Sequence, residues 1–405
     1  MRGNEFLDKM ELIDPSYIEG ADVMVSKKKS VLIRLGVVAA CLAFIVFAGA
    51  KILSHENKKI INSDMPMLSV SEITSTMGYE GYTAYDISEL VNANPWNEDF
   101  KLSTLPVYQN TFNYDENNFE SGVDLDKIRK FILEIANRAG LDENNLTVTY
   151  DTPDEEEKQK IIDKFNSAGV TVPKGYFTPT KLIINSQGIE IEADSSMTAT
   201  VHFEPALTVP SEYNFTHFSS YNDKCDVAEY LKTKYKSLIG IENPQADIFG
   251  GDYNIYGQQQ YSVGFFEDGQ DKTEKIINYN FNRVTFANDD DGKLFIVRIC
   301  QPDLSVKAGD YPVISSNEAR QLLIKGNFIT TVPYEFSGEE FVEKTELIYR
   351  TDKNEKYFMP YYRFYVELPE LKQEDGLKTY GIYYVPAVES EYISDMPVWD
   401  GSFNG

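Results

Sequence analysis

The hydrophobic pattern of the chain begins with one continuous apolar stretch and becomes periodic only later. Residues 31–53 read VLIRLGVVAACLAFIVFAGAKIL, in which Arg34 and Lys51 are the only charged residues. About 20 apolar residues in a helix are enough to cross the hydrocarbon layer of a bilayer, and basic side chains at its two ends can reach the interfaces. The pattern therefore predicts a transmembrane helix over residues 31–53.

The charges beside this stretch predict its orientation. Its N-terminal side carries Lys27, Lys28, Lys29 and Arg34, whereas Lys51 lies at the other end, followed by Lys58 and Lys59. Basic flanks are retained in the cytoplasm. We therefore expect a single-pass protein of the cell membrane, with a cytoplasmic N-terminus and an extracytoplasmic C-terminal region.

Two other fates of the same stretch remain open. Residues 48–50, Ala-Gly-Ala, fit a signal-peptidase site, and residues 38–41 are similar to a lipobox in which Cys41 would be lipidated. The long segment before the apolar stretch and the apolar residues after Cys41 favour an uncleaved anchor. Residues 1–30 are then a cytoplasmic leader, which is either a short docking helix or a tail that sets the topology.

Beyond the anchor, residues 54–100 show no sustained periodicity, and we interpret them as a linker and irregular segment. Residues 101–208 then alternate between helical and strand patterns and form a first extracytoplasmic α+β domain. Its first helix begins at Asp124 and ends at Gly140, with an apolar stripe. A second helix follows Pro153, and strands are predicted at residues 146–150, 181–185, 188–193 and 197–203.

Residues 209–405 are predicted to form a second extracytoplasmic α+β domain. A helix is expected at residues 223–239, and a hairpin joins residues 275–286 to 293–300 through the acidic turn at 288–292. Ser315 and Glu318 form a capping box for another helix. Strands follow at residues 343–350, 356–368 and 377–388. The predicted fold class is therefore α+β, with an N-terminal transmembrane helix followed by antiparallel sheets that are each covered by helices.

The net negative charge of the chain limits the classes of partner that it is expected to bind. The formal net charge is −26, and residues 54–405 hold 31 Lys and Arg against 58 Asp and Glu. Binding to phosphate backbones requires clustered Lys and Arg. We therefore expect no nucleic-acid partner, and we expect the bilayer to be contacted through residues 31–53.

Chemical motifs are scarce in this sequence. The three histidines form no HExxH motif, and there is no GxSxG motif and no phosphate-binding loop. The Asp289–Gly292 run lacks EF-hand spacing and predicts a hairpin turn. No catalytic, cofactor-binding or metal-binding residue is predicted. Pairing of Cys225 with Cys300, the oligomeric state and a hydrolase activity that uses two distant carboxylates remain open.

Aromatic residues are concentrated in the predicted C-terminal strands. Alternation places Tyr357, Tyr361, Arg363 and Tyr365 on one face of their strand, and Tyr383 lies on the facing strand. Tyr and Arg are frequent at protein interfaces. We interpret these five residues as a candidate interaction surface, and the alternative is cross-strand pairing on a wet sheet.

Three sequence stretches resemble a group of known proteins. GNEFLDKMELIDPSYIEGAD at residues 3–22, NPWNEDFKLSTLPVYQN at 94–110, and YFMPYYRFYVEL with YGIYYVPAV at 357–388 resemble uncharacterised single-pass membrane-anchored extracytoplasmic proteins of low-GC Gram-positive bacteria. The layout is also similar to YycH/YycI-type and PepSY-like regulatory domains. The resemblance implies an exported α+β domain that acts on another envelope protein.

The combined expectation is a membrane-anchored extracytoplasmic binding or regulatory domain, a signalling accessory with no catalytic activity, whose partner is an envelope or membrane protein. Two alternatives are a cell-wall or glycan-active hydrolase with paired carboxylates and an anti-sigma-like membrane regulator. The leader lacks a zinc-binding His and Cys pattern, which argues against the last of these.

Overall fold

A computed structural model describes residues 65–71, 82–84, 86–112, 118, 120–254, 256–372 and 376–399. The predicted leader, membrane span and flanking residues Lys27, Lys28, Lys29, Arg34 and Lys51 lie outside the described residues, as do Cys41 and residues 48–50. Within the described part of the chain, no helix is both long enough and apolar enough to cross a membrane.

The described residues contain six α-helices, and all but the fourth begin at a polar side-chain cap. They are α1 (Leu125–Arg138), α2 (Glu155–Ser167), α3 (Tyr221–Lys234), α4 (Lys236–Ile239), α5 (Lys272–Phe281) and α6 (Ser316–Ile324). Asp124 caps α1 as predicted, and Ser315 and Glu318 form the predicted capping box of α6. Short 3-10 helices lie at Glu143–Asn145, Glu339–Phe341, Pro369–Leu371 and Ser390–Tyr392.

The strands alternate with these helices along the chain. They are β1 (Tyr82–Ala84), β2 (Thr104–Gln109), β3 (Val148–Tyr150), β4 (Lys181–Ser186), β5 (Ile189–Asp194), β6 (Thr198–Leu207), β7 (Pro244–Tyr253), β8 (Gln259–Glu267), β9 (Arg283–Asn288), β10 (Leu294–Cys300), β11 (Lys307–Pro312), β12 (Ile329–Thr330), β13 (Val342–Tyr349), β14 (Tyr357–Phe358), β15 (Pro360–Glu367) and β16 (Thr379–Pro386). The expected strands near residues 181–203 and 343–388 are confirmed.

Among the described residues, thirteen strands form one sheet in the order β13-β15-β16-β1-β7-β8-β9-β10-β6-β5-β4-β3, with β12 paired to β16. The pairings along this sheet are antiparallel. A separate sheet has the order β11-β2-β14. The α+β class with antiparallel sheets is confirmed.

Helices cover the sheet at two places. α1 packs on β4 and β5, and α3 packs on β7 and β8, around a core that includes Ile128, Ile132, Val227, Leu231 and Val263. Farther along, α5 and α6 pack against β13 and β16. The second core there joins Ala319 and Leu323 to apolar residues of β13, β15 and β16.

The large sheet continues across the predicted boundary between residues 208 and 209. β6, from the predicted first domain, pairs with β10, from the predicted second domain, with Val201 opposite Val297. The described residues belong to one compact unit. The predicted boundary therefore falls within a single sheet.

Two local predictions differ from the structure. Residues 275–281 were expected to be the first half of a hairpin strand, but they belong to α5, which Asp271 caps by accepting a hydrogen bond from the Glu274 N–H. The predicted linker also contains packed residues, since Leu68 and Trp96 are buried and β1 lies between β16 and β7. Because the sequence around these residues is polar and has no regular period, it did not indicate that they belong to the core.

Candidate binding surface

The tyrosine face predicted on the C-terminal strands is mostly interior. Tyr361 and Tyr383 are 0% exposed and Tyr365 is 5% exposed, whereas Tyr357 and Arg363 are partly exposed. The predicted exposure is therefore wrong for the three buried tyrosines. Leu68 packs in one cluster with Tyr361. Ile87 and Leu90 pack against the cluster that Tyr365 forms with Tyr380. Phe328, Phe336 and Trp399 lie in the core that contains Tyr383.

A buried acid lies beneath residues 65–71. The Nη2 atom of Arg350 is 2.7 Å from Oε1 of Glu355, and the two side chains are 11% and 2% exposed. This contact is ionic rather than a directed hydrogen bond. Arg350 also donates to the Ser71 carbonyl at 3.0 Å. Burial raises the pKa of Glu355 to about 7, and the positive charge of Arg350 opposes this only in part. Because both side chains are buried, we assign the Arg350–Glu355 pair a role in holding the fold together.

The cysteines, histidines and acidic turn have structural surroundings. Cys225 and Cys300 are free thiols on α3 and at the end of β10. His202 is partly exposed and lies edge-on to the ring of Phe295, with centroids 5.7 Å apart. In the turn between β9 and β10, Asp289 accepts backbone hydrogen bonds from Asp291 and Lys293. The predicted hairpin turn is therefore confirmed.

Gly250 and Gly251 bring residues 86–96 onto the large sheet. Val91 and Gly250 exchange backbone hydrogen bonds of 3.0 and 3.2 Å. Gly251 has a φ of +106°, and a Cβ atom there would lie 2.2 Å from the carbonyl oxygen of Glu89. Only glycine permits both the positive φ and this close approach. The glycine pair lacks the spacing of a phosphate-binding loop. It instead allows the irregular residues 86–96, which we call the seated segment, to pack against the sheet.

Buried carboxylates fix the same segment from below. Asp247 is 0% exposed, accepts a 2.7 Å hydrogen bond from the Ala93 N–H, and is paired with Arg283. Glu346 accepts a 2.7 Å hydrogen bond from the Asn92 amide. The two carboxylates lie on β7 and β13, so they hold residues 92–93 between distant strands of the sheet.

Glu346 lies at the centre of a wider buried network. It is opposite Arg363 in the register of β13 and β15, and Arg363 Nε donates to it at 3.0 Å. The Tyr365 hydroxyl donates to it at 3.1 Å, and Lys344 Nζ lies 3.0 Å from its other oxygen. Burial alone would raise the pKa of Glu346, but Arg363, Lys344 and the hydrogen bonds lower it to about 2. Glu346 therefore stays ionised at neutral pH.

Three tyrosines and one carboxylate near the end of the β7–β8 hairpin are partly or fully exposed, and Tyr256 lies in the turn of that hairpin; we call this set the tyrosine surface: Tyr221, Tyr253, Tyr256, Tyr261 and Glu89. Tyr256 lies in the turn between β7 and β8 and is 80% exposed, and Tyr221, at the start of α3, is 41% exposed. The rings of Tyr221 and Tyr261 meet edge to face at 5.7 Å. The Tyr253 hydroxyl and the Gln259 amide both donate to Glu89.

A small cleft adjoins the tyrosine surface. It has a volume of about 240 Å³ and lies between α3 and the seated segment. Tyr221, Cys225 and Glu229 line one side, and Asn92 and Ala93 line the other. A cleft smaller than the usual 300–1,000 Å³ of drug-sized ligand sites suits one side chain of a larger partner.

A second, larger cleft of about 470 Å³ lies between the C-terminal ends of α1 and α4 and the β4–β5 turn. Arg138 is the buried cation in its wall, and its guanidinium donates to the carbonyls of Leu238 and Ile239. Those bonds close the end of α4. The other charged residues of its described wall are Glu204 and Lys234, both exposed. No convergent polar set distinguishes this cleft as a site.

The described residues contain no group of three His, Cys, Asp or Glu side chains placed to hold a metal ion. The chemistry available at the tyrosine surface is contact chemistry: aromatic faces, phenolic hydroxyls and carboxylates beside a small cleft. These groups favour recognition of a partner. Comparison with protein-family models found no matching family, and comparison with curated proteins found no similar sequence.

Proposed function

We propose that this chain is a membrane-tethered extracytoplasmic binding or regulatory protein of the cell envelope, and that the tyrosine surface contacts its protein partner. The observation that carries the proposal is the exposure of Tyr221, which lines the cleft, and of Tyr256, which lies in the turn whose flanking residues Tyr253 and Gln259 donate to Glu89. Tyrosine supplies large contact area with little loss of side-chain entropy, which is why it is enriched at binding hot spots.

The proposed tether is the apolar stretch at residues 31–53, whose length and basic flanks support it. In that arrangement the folded region faces the outside of the cytoplasmic membrane. The partner is then a membrane or envelope protein, and nucleic acid is disfavoured by the net charge of −26.

A photo-crosslinking experiment tests the surface in the full-length chain, in membranes of the cells that make it. A photoreactive phenylalanine analogue replaces Tyr256, and the matched control replaces Tyr150, which is 47% exposed on β3, the last strand of the sheet order and far from β7 and β8. We expect one discrete crosslinked protein from position 256 and none from position 150. The crosslink should disappear when Tyr221 is also changed to Ala.

The same bands from both positions would overturn the proposal, and so would a crosslink from position 256 that is indifferent to Tyr221→Ala. The urea midpoint of each variant, compared with the parent chain, shows whether a lost crosslink reflects loss of the surface or loss of the fold. A fully folded Tyr221→Ala variant with an unchanged crosslink counts against the tyrosine surface.

A further inference from the structure

We propose that the tyrosine surface recognises a cationic polypeptide segment, one that places Lys or Arg side chains over the tyrosine rings and into the adjoining cleft. This inference rests on the proposed function and adds the chemistry of the partner. It is carried by the distribution of charge along the sequence, by the burial of Lys224 and by the size of the cleft. Two other lysines lie close to residues 86–90, and both are paired with carboxylates: Lys344 with Glu346, and Lys378 with Glu343 and Glu367.

The three longest stretches of the sequence without Lys or Arg are residues 60–100, 182–223 and 237–271. Each contributes to the tyrosine surface: Glu89 comes from the first, Tyr221 from the second, and Tyr253, Tyr256 and Tyr261 from the third. The fold therefore brings residues from the three most cation-poor stretches of the chain to one surface. Such a surface attracts a positively charged partner and repels an anionic one.

A count of the charged residues in the segments that form this surface also shows an excess of negative charge. Residues 86–93, 220–229 and 250–262 contain six carboxylates and one lysine, Lys224. Lys224 is 1% exposed, and its Nζ atom donates to the Thr216 carbonyl at 2.9 Å. The lysine therefore neutralises little of the outward charge. α3 becomes basic only beyond Glu229, at Lys232 and Lys234.

The carboxylates here differ from those on other helices. On α2, Glu155 and Glu156 are paired with Lys158 and Lys160 at 2.6 and 2.7 Å. Among the described residues, Glu229 in the cleft wall has no ion-pair partner, and the same holds for Asp226 and Asp252. These carboxylates remain available to a cation from outside the chain.

The tyrosines suit the same ligand. The faces of aromatic rings attract Lys and Arg, with about 0.5–1 kcal/mol at exposed sites. The hydrogen bond from Tyr253 to Glu89 raises the pKa of Tyr253 to about 12, and burial raises the pKa of Tyr261. The phenols of Tyr253 and Tyr261 therefore stay neutral at physiological pH and act as hydrogen-bonding groups. A cleft of about 240 Å³ between Tyr221 and Glu229 accommodates one long basic side chain.

Binding of fluorescent peptides to the full-length chain in detergent tests this inference by fluorescence anisotropy. The probes are three peptides of twelve residues in which Gly alternates with another residue. In the basic peptide that residue is Lys or Arg, in the neutral peptide it is Gln, and in the acidic peptide it is Glu. Each peptide is measured at 50 and at 300 mM salt. We expect the basic peptide to bind, at least tenfold more tightly than the other two, and to weaken at least fivefold at the higher salt.

Matched substitutions locate the binding. Glu229→Lys should weaken the basic peptide at least tenfold and Tyr256→Ala at least threefold, whereas Glu156→Lys on α2 should leave it unchanged. Equal weakening by Glu229→Lys and Glu156→Lys would indicate general attraction to an acidic protein and would overturn the inference. Equal binding of the Gln peptide, or no binding of the basic peptide, would also overturn it.

The two proposals can fail separately. A specific crosslink from position 256 together with no binding of the basic peptide leaves the binding function intact and rejects the cationic partner. Absence of a specific crosslink from position 256 in a folded chain that keeps Tyr221 rejects both. Urea midpoints of the Glu229 and Tyr256 variants should match the parent chain, because both side chains are exposed.

Discussion

Replacing Glu346 with Gln tests whether the buried network holds the fold together as its geometry indicates. The side chain is 5% exposed and lies within 3.0 Å of the charged nitrogens of both Lys344 and Arg363. Gln keeps the shape but removes the charge, which leaves Arg363 without its partner. Removing one member of a buried ion pair typically costs about 3–5 kcal/mol.

The pKa of Glu346 gives an independent magnitude. The difference between an ordinary carboxyl pKa of 4.5 and about 2 in the folded chain corresponds to roughly 3 kcal/mol of stabilisation at pH 7. Because the pKa is lowered on folding, this stabilisation is fully present above about pH 4.5 and is lost as the pH falls towards 2. The two magnitudes agree, so we expect Glu346→Gln to destabilise the chain by about 3 kcal/mol at pH 7.

Equilibrium urea unfolding measures this effect through tryptophan fluorescence. Trp96 is 8% exposed, and its ring centroid is 5.5 Å from that of Tyr362, so unfolding changes its surroundings. Glu343→Gln on the same strand is the matched control. The Glu343 carboxylate is 37% exposed and 3.6 Å from Lys378. We expect the control to change stability by less than about 0.5 kcal/mol. Equal effects of the two substitutions, or a Glu346 effect that persists at pH 2, would refute this reasoning.

Three further predictions use the same unfolding measurement. Leu68→Ala should cost about 2–5 kcal/mol because Leu68 is 0% exposed, whereas Met67→Ala, at a side chain 51% exposed, should change stability by less than about 0.5 kcal/mol. Gly251→Ala should lower the free energy of unfolding more than Gly326→Ala, because both glycines have a positive φ but only a Cβ atom at position 251 would clash with a carbonyl oxygen. Equal losses would contradict the role of Gly251 in packing residues 86–96. Because the pKa of Glu355 is raised to about 7 on folding, the parent chain should lose roughly 3 kcal/mol relative to Glu355→Gln as the pH rises from about 4.5 to 7, and parallel pH profiles would disprove this.

Local sequence signals identified the elements with strong caps and strong periodicity. Asp124 before an apolar stripe located α1, and the capping box of Ser315 located α6. The prediction failed at residues 275–281, where Ile, Tyr and Phe alternate with Asn as in a strand. Their burial at Ile276 and Tyr279 follows helical spacing, and the Asp271 cap begins the helix. In such a short segment the two periods cannot be separated without tertiary context.

Periodicity could not predict which residues pack over the C-terminal strands, because those residues lie in a segment with no regular hydrophobic pattern. Leu68 and Leu90 come from a segment that has the composition of a linker, yet Leu68 is fully buried and Leu90 packs against Tyr380. Alternation correctly separated the two faces of β15, but it carried no information on what lies above each face. The tyrosine surface was missed for a related reason, although the cation-free stretches 60–100 and 237–271 were a readable signal.

The same irregular segment connects the interior of the fold to the tyrosine surface. Leu90 packs against the buried cluster of Tyr365 and Tyr380, and Asn92 donates to Glu346. Glu89, in the same segment, accepts hydrogen bonds from Tyr253 and Gln259. The position of Glu89 is therefore set by buried charges and by the Gly251 approach, before any partner arrives. A preorganised surface loses little conformational entropy on binding. Under the proposed binding function, a small cleft and a few exposed rings would therefore suffice for recognition, and buried residues such as Glu346, which a partner would not touch, would contribute by fixing the position of Glu89.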